Sequence, residues 1–238
     1  MPNRIYFFSD IDDTLIQTKR KTDFTKNTIV GAYNREGAEN SFFYEGTKLF
    51  IDTIINSGMN FIPTTARNFE AYKRTVFYDD VNIQYAILNF GGSIIINNKI
   101  DNEWANIIEK KYNNISSINS VYEKLIVHLN EVGLNLVVKI IDNFYISIYN
   151  KENIDDTNIL SQIREVLNFF VIANSQLYIY ENDNSFGILP SFLNKKFAVE
   201  YLINKHNPIL TIGAGDNISD LDFMKLTTFK LLPEKYLL

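Results

Sequence analysis

The sequence contains no cysteine, which excludes disulfides, thiolate nucleophiles, thiolate-bound zinc and iron–sulfur clusters. Histidine is nearly as scarce. His128 and His206 are the two present, too few for a His-rich metal centre. Basic residues are outnumbered, 23 Lys and Arg against 28 Asp and Glu, for a formal charge of −5. A protein that binds phosphate backbones usually carries the opposite balance, so no nucleic-acid partner is expected. No apolar run approaches the length of a membrane span, and the run that follows Met1–Arg4 meets Asp10 too soon for a signal peptide. The expectation is a cytoplasmic protein with no membrane partner. Internal repeats and low-complexity tracts are absent too.

What is present is an ordinary globular composition. With 46% hydrophobic and 21% charged residues, a disordered or collagen-like chain is ruled out. A monomer of 238 residues buries about 70% of the surface its extended chain exposes, enough for a core without covalent staples. At about 150 residues per domain, the length fits one large domain or one domain carrying a sizeable insertion.

Four short apolar runs each end in a polar cluster. Ile5–Phe8 leads into Ser9-Asp10-Ile11-Asp12-Asp13-Thr14, Met59–Pro63 into Thr64-Thr65-Ala66-Arg67, Ala86–Leu88 into Asn89-Phe90-Gly91-Gly92, and Ile209–Ile212 into Gly213-Ala214-Gly215-Asp216. Such runs read as buried strands of a parallel sheet. Helical patterns lie between them. Thr47–Ser57 aligns Leu49, Phe50, Thr53 and Ile54, with Gly58 at its C-terminal end; Asn68–Phe77, Lys195–Lys205 and Asp220–Leu226 are the others. Strand alternating with helix predicts an α/β core, a doubly wound Rossmann-like parallel sheet, with ligands bound beyond the carboxyl ends of its strands. All four polar clusters sit at that end.

The middle of the chain has another rhythm. Ser116–Glu131 is helical, Leu136–Tyr149 a hairpin turning at Asp142-Asn143, Thr157–Val171 helical, and Gln176–Leu189 a second hairpin. This predicts an inserted α+β (αββαββ) domain at 102–186, with the core formed by 1–101 and 187–238. Residues 17–46 fit neither pattern. They read as an excursion off the first strand, a hairpin being one form of it, with a flap over the site as the sharper alternative.

The chemistry-bearing residues cluster at the strand ends. Asp10 and Asp12 are two apart after a buried strand and face the same way; two carboxylates so close favour a cation or paired acid/base work. Asp216 and Asp220 add two acids at another strand end, and hard oxygen ligands from two loops suit Mg²⁺. Thr65 ends a strand before a helix, where a hydroxyl and backbone N–H groups can hold an anion. Lys195 opens a helix and offers a point charge for a phosphoryl oxygen. Taken singly, a helix cap explains Thr65 and a solvated side chain explains Lys195. Trp104 reads as packing at the joint between the two domains, and His128 and His206 as ordinary helix residues.

In this order, Asp10-x-Asp12-x-Thr14, Thr65-Ala66-Arg67, Lys195 and Gly215-Asp216-x-x-x-Asp220 resemble the haloacid-dehalogenase-like (HAD) phosphohydrolase superfamily. The insertion resembles the large cap of its sucrose-phosphatase, trehalose-phosphatase and Cof-like branch, as does Asn89 at the strand end before it, although Phe90 interrupts that branch's Asn-Gly pattern. Asp13 stands where many relatives have Gly. The resemblance implies a phosphatase with Asp10 as nucleophile and Asp12 as acid and base. It implies Mg²⁺ held by Asp10, the Asp12 backbone carbonyl and Asp216, with Asp220 as a direct or supporting ligand. Thr65 and Lys195 would hold the transferring phosphoryl group, with Ala66, Arg67 and Asn89 binding substrate. Lys139 and Tyr149, in the first hairpin, either face the site and read substrate hydroxyls or lie on a strand face packed on the helices of the insertion. The implied substrate is a small phosphorylated metabolite such as a sugar or polyol phosphate, with no obligate protein partner. Two rival readings remain: a phosphomutase of the phosphomannomutase type, told apart by an isomeric sugar phosphate as product, and a non-catalytic phosphate-binding regulatory module, told apart by binding without release of phosphate.

Overall fold

The computed structural model describes residues 5–150 and 157–233. The expectation drawn from Met1–Arg4 lies outside them. The chain divides into two compact units, 1–105 with 194–238, and 106–193.

The first unit begins with β1 (Ile5–Ser9), followed by β2 (Gln17–Thr18), β3 (Thr28–Tyr33), β4 (Glu39–Tyr44), α1 (Glu45–Asn56), β5 (Asn60–Pro63) and α2 (Phe69–Tyr72). Next come β6 (Tyr85–Leu88), a 3₁₀ turn at Asn89–Gly91, β7 (Ser93–Ile96), β8 (Lys99–Ile100) and α3 (Asn102–Tyr112), whose later turns belong to the second unit. That second unit contains α4 (Ile118–Glu131), β9 (Leu136–Ile141), β10 (Tyr145–Asn150), α5 (Thr157–Ile172), β11 (Leu177–Asn182) and β12 (Ser185–Pro190). The chain re-enters the first unit with α6 (Lys195–His206), β13 (Leu210–Ala214), α7 (Ile218–Met224) and β14 (Phe229–Leu231).

β14, β13, β1 and β5 form a parallel sheet in that order. β1 is central and buried, as its apolar run predicts. Because β1, β5 and β13 run the same way, their carboxyl ends, and the loops carrying Asp10, Thr65 and Asp216, emerge on one side of the sheet. β6 differs from expectation. It touches the end of β5 by one parallel bridge, Thr64 to Ile87, and otherwise forms an antiparallel hairpin with β7 and β8. The β7–β8 turn is made by Asn97 and Asn98, with φ of 49° and 60°, left-handed values that Asn tolerates.

The segment 17–46 is an excursion off β1 that contains a hairpin, β3–β4, joined by β2 into a three-stranded antiparallel sheet, β2-β4-β3, and it places Ala32 and Phe43 in the same core cluster as Phe7 and Phe61. Two further expectations need correction. The helix expected over Asn68–Phe77 stops at Tyr72, because the chain then pairs with β3: Val76 N–H donates to Gly31 and Tyr33 N–H to Arg74. In α1 the buried stripe is Ile51, Ile54 and Ile55, whereas Leu49 and Phe50 are 67% and 42% exposed. Both stripes share Ile54 and have helical spacing; the packing of α1 onto β3, β4 and β5 decides the rotation.

The second unit has the order α-β-β-α-β-β after α3, with a sheet ordered β11-β12-β10-β9. Asp142 and Asn143, φ 46° and 60°, make the first hairpin turn. α4 and α5 bury Val121, Leu125, Leu129, Ile163 and Leu167 against Ile146, Ile148, Phe186 and Ile188 of the sheet. Patterning alone puts the boundaries after 101 and 186, while the compact units divide after 105 and 193. The first turn of α3 stays with the first unit because Trp104 packs on Tyr201, ring centroids 5.0 Å apart.

Candidate active site

Asp10 follows β1 directly, its N–H donating to the Ala214 carbonyl at the end of β13. This bond joins the two acid-bearing loops at their roots. Asp10 is buried, its side chain 8% exposed, and its carboxylate is held from both sides: Lys195 Nζ lies 2.6 Å from Oδ1, and the Thr14 hydroxyl lies 3.2 Å from Oδ2. The same hydroxyl is 3.1 Å from Asp216 Oδ1. Lys195 Nζ also reaches Asp220 Oδ1 at 2.7 Å. Asp10, Asp216 and Asp220 each offer a carboxylate oxygen within 4.8 Å of the others. Four of the residues singled out from sequence therefore meet in one place, joined by Thr14, to which sequence reasoning gave no role although it is the last letter of the first motif.

Burial pushes the Asp10 carboxyl well above its ordinary range; Lys195 pulls the other way, while Asp220 and Asp12 push up again. Such a carboxylate is short of positive charge. Three acids and a threonine hydroxyl are hard oxygen donors, the set that Mg²⁺ takes, so the residues present fit that ion.

Asp220 is committed to local structure as well. Its Oδ2 accepts from the Asp216 and Asn217 N–H groups at 3.3 and 3.1 Å, closing the capping box of α7. Gly215 is required beside it, since a Cβ there would lie 2.4 Å from Asp220 Cβ.

Asp12 pairs with Arg67, whose Nε and Nη2 lie 2.8 and 2.7 Å from its two oxygens. Burial works against the Arg67 charge, but Asp12, with a smaller contribution from Asp10, holds the guanidinium pKa above its ordinary value. Thr65 is fully buried; its N–H donates to Ile87 and its Oγ1 accepts from Arg67 N–H. Ala66 lies between them, half-buried. Asn89 is buried, and its N–H donates to the Arg67 carbonyl. Lys139 lies in the other unit, on β9, with its ammonium 5.5 Å from the Tyr149 ring centroid.

Asp13 has φ of 62°, a left-handed value that glycine adopts freely and Asp tolerates. Its carboxylate pairs with Lys21 at 2.6 Å, a residue contributed by the 17–46 segment. No sequence signal links those two positions. Trp104, 3% exposed, donates its indole N–H to the Gly91 carbonyl, and His128 stacks on Phe169.

The sequence matches the family model described as sucrose-6F-phosphate phosphohydrolase over residues 3–230. The chain belongs to that family. It is a HAD-type phosphatase, with the parallel-sheet core and cap domain of that superfamily. No curated protein matches the sequence. Among solved structures it is similar to the sucrose-phosphatase of Synechocystis sp. PCC6803 in complex with sucrose and phosphate, at 12% identity and a TM-score of 0.60, covering 99% of this chain and 86% of that one. The trehalose-6-phosphate phosphatase C-terminal domain of C. albicans gives 12% identity and 0.63, covering 94% and 73%. The IMP-nucleotidase of Plasmodium falciparum gives 14% and 0.60, covering 97% and 66%. These likenesses are likenesses of fold. No helix among the described residues is long and apolar enough to cross a membrane.

Proposed function

We propose that this phosphatase is a Mg²⁺-dependent phosphomonoester hydrolase acting on a small sugar or polyol phosphate through an aspartyl-phosphate on Asp10. The observation that carries the reading is the convergence of Lys195 and Thr14 on the two oxygens of the Asp10 carboxylate, beside Asp216. Family membership supports a sugar phosphate, as do the sucrose and phosphate named for the Synechocystis structure.

In this reading Asp10 attacks phosphorus, forming the acyl phosphate as the bond to the leaving alcohol breaks, and Asp12 gives its proton to that alcohol. Asp12 then takes a proton from water, whose oxygen attacks phosphorus and breaks the bond to Asp10, releasing inorganic phosphate. Arg67 fixes the direction of the Asp12 carboxylate in the free protein. Lys195, with Thr65 at the end of β5, stabilises the phosphoryl oxygens, whose charge is the main obstacle in phosphoryl transfer. Asp10, Asp216 and the Asp12 carbonyl would hold Mg²⁺, with Asp220 keeping both Lys195 and the 215–217 turn in place. When bound, the ion would screen the nucleophile's charge from the phosphate dianion. Arg67, Ala66 and Asn89 line the substrate side in this reading. Lys139, in register with Ser147, Gly187 and Tyr180 on the sheet face opposite the one covered by α4 and α5, is the side chain of the second unit that this reading assigns to substrate binding.

A screen of sugar phosphates, nucleotides and phosphoglycerate-type acids tests this. Free phosphate from a sugar phosphate, lost with chelator, is the expected result. An isomeric sugar phosphate instead of free phosphate would make the protein a mutase, and full activity of Asp10→Asn on p-nitrophenyl phosphate would remove the nucleophile.

A further inference from the structure

The turn after β6 has three consecutive residues in the left-handed region: Asn89 at φ 52°, Phe90 at 55° and Gly91 at 91°. For a bulky residue such as Phe90 this backbone is strained, and strain of this kind persists only where the surroundings hold it. They do so from three directions. Asn89 N–H donates to the Arg67 carbonyl at 2.9 Å and Phe90 N–H to the Thr65 carbonyl at 3.3 Å. The Gly91 carbonyl accepts the Trp104 indole N–H at 2.9 Å, from the first turn of the helix along which the chain leaves for residues 106–193. Gly91 itself lies against the start of α6: a Cβ there would meet Asn194 O at 2.8 Å and Lys195 Cα at 3.2 Å. Asn194 is the N-cap of α6, and its carbonyl accepts the Phe197 N–H. One turn therefore sets the backbone of Thr65 and Arg67 on one side and of Lys195 on the other.

We propose that Gly91 is a positioning residue for Lys195: its missing side chain lets the strained turn fix the first turn of α6, and hence the lysine ammonium, relative to Thr65 and Asp10. The inference rests on the reading of Lys195 as the phosphoryl-holding charge. A methyl group at position 91 must push the Asn194 carbonyl and the helix start outward. The Lys195 ammonium sits 2.6 Å from Asp10, so a shift of about 1 Å spoils its geometry and costs on the order of 100-fold in rate. Trp104, through its single hydrogen bond, ties the same turn to the departing helix.

The test compares Gly91→Ala, Lys195→Met and Gly37→Ala on p-nitrophenyl phosphate with Mg²⁺, well below each melting temperature, with inorganic phosphate as competing product. Gly37 has φ of 80° with open space around it, so its alanine variant carries backbone strain without the clash. Gly91→Ala is expected to lower kcat at least about 10-fold and to weaken phosphate inhibition by a similar factor. Gly37→Ala is expected to change the melting temperature only. A folded Gly91→Ala protein with wild-type kcat and phosphate inhibition, beside an inactive Lys195→Met, overturns the positioning role. An active Lys195→Met overturns the reading beneath it. If Gly91→Ala yields no folded protein, Trp104→Phe takes its place: an apolar aromatic ring, smaller than the indole, remains and the donor is lost. A kcat lowered roughly three-fold or more, with phosphate inhibition weakened alongside, supports the proposal, and unchanged values overturn it.

Discussion

Among the described residues, every buried polar or charged side chain lies in the unit formed by 1–105 and 194–238, including Asp10, Asp13, Thr65, Asp101, Lys195 and Asp220. Residues 106–193 bury apolar side chains, and their Arg164–Glu181 ion pair is solvent-exposed. Buried charge is costly unless paired, and it persists where chemistry needs it. The first unit gives up stability for a prearranged polar site. The second is an aliphatic scaffold, and whatever it contributes to recognition must come from its surface.

The largest effect expected from this contrast is on activity in the first unit. Lys195→Met is expected to lower kcat on phosphate esters about 10² to 10³-fold, the range for losing one donor to a developing oxyanion, as steady-state kinetics will show. Chelation of divalent cations is expected to abolish activity, and added Mg²⁺ to restore it. In the second unit the corresponding large effect is on stability: Leu125→Ala is expected to cost about 2–5 kcal/mol in urea denaturation, since the side chain is fully buried among Ile146, Ile163 and Leu167. A Leu125→Ala protein as stable as wild type would break the comparison. Smaller is Lys21→Met, which leaves the nearly buried Asp13 carboxylate without its ion pair; a loss of about 1–2 kcal/mol is expected, recovered in the Lys21→Met/Asp13→Asn double variant because Asn accepts the left-handed backbone. Smallest is Arg164→Ala, expected to change stability by less than about 0.5 kcal/mol although its bond to Glu181 is 2.6 Å long, because both partners are solvated.

The sequence carried these two regions unequally. β1, β5 and β13 are readable because each is a short apolar run ending in turn residues, and the candidate acids because they sit at those ends, whereas Lys195 opens a helix. The second unit was readable from hydrophobic periodicity and from Asp142-Asn143. What escaped depends on contacts between distant segments. The rotation of α1 toward Ile51 and Ile55 is decided by what lies beneath it. The Thr14 hydroxyl spans Asp10 and Asp216 only once β1 and β13 are paired. The Lys21–Asp13 pair depends on the turn after β2, in which Lys21 N–H donates to the Thr18 carbonyl. β14 is a three-residue exposed strand whose pairing with β13 leaves no periodic trace. Asn97-Asn98 is a turn pair between two apolar stretches, a hairpin signal that the chain itself carries. Phe90, which breaks the Asn-Gly pattern, marks a strained turn that only the backbone angles disclose.

The most direct test of the account is to quench the enzyme in acid during turnover of a hydrolysed phosphate ester and locate bound phosphate by peptide mass spectrometry. Hydroxylamine-labile phosphate on Asp10, absent from the Asp10→Asn protein, is the predicted result. Steady turnover with label on any other residue, or with no label under conditions where breakdown of the acyl phosphate limits the rate, would contradict it.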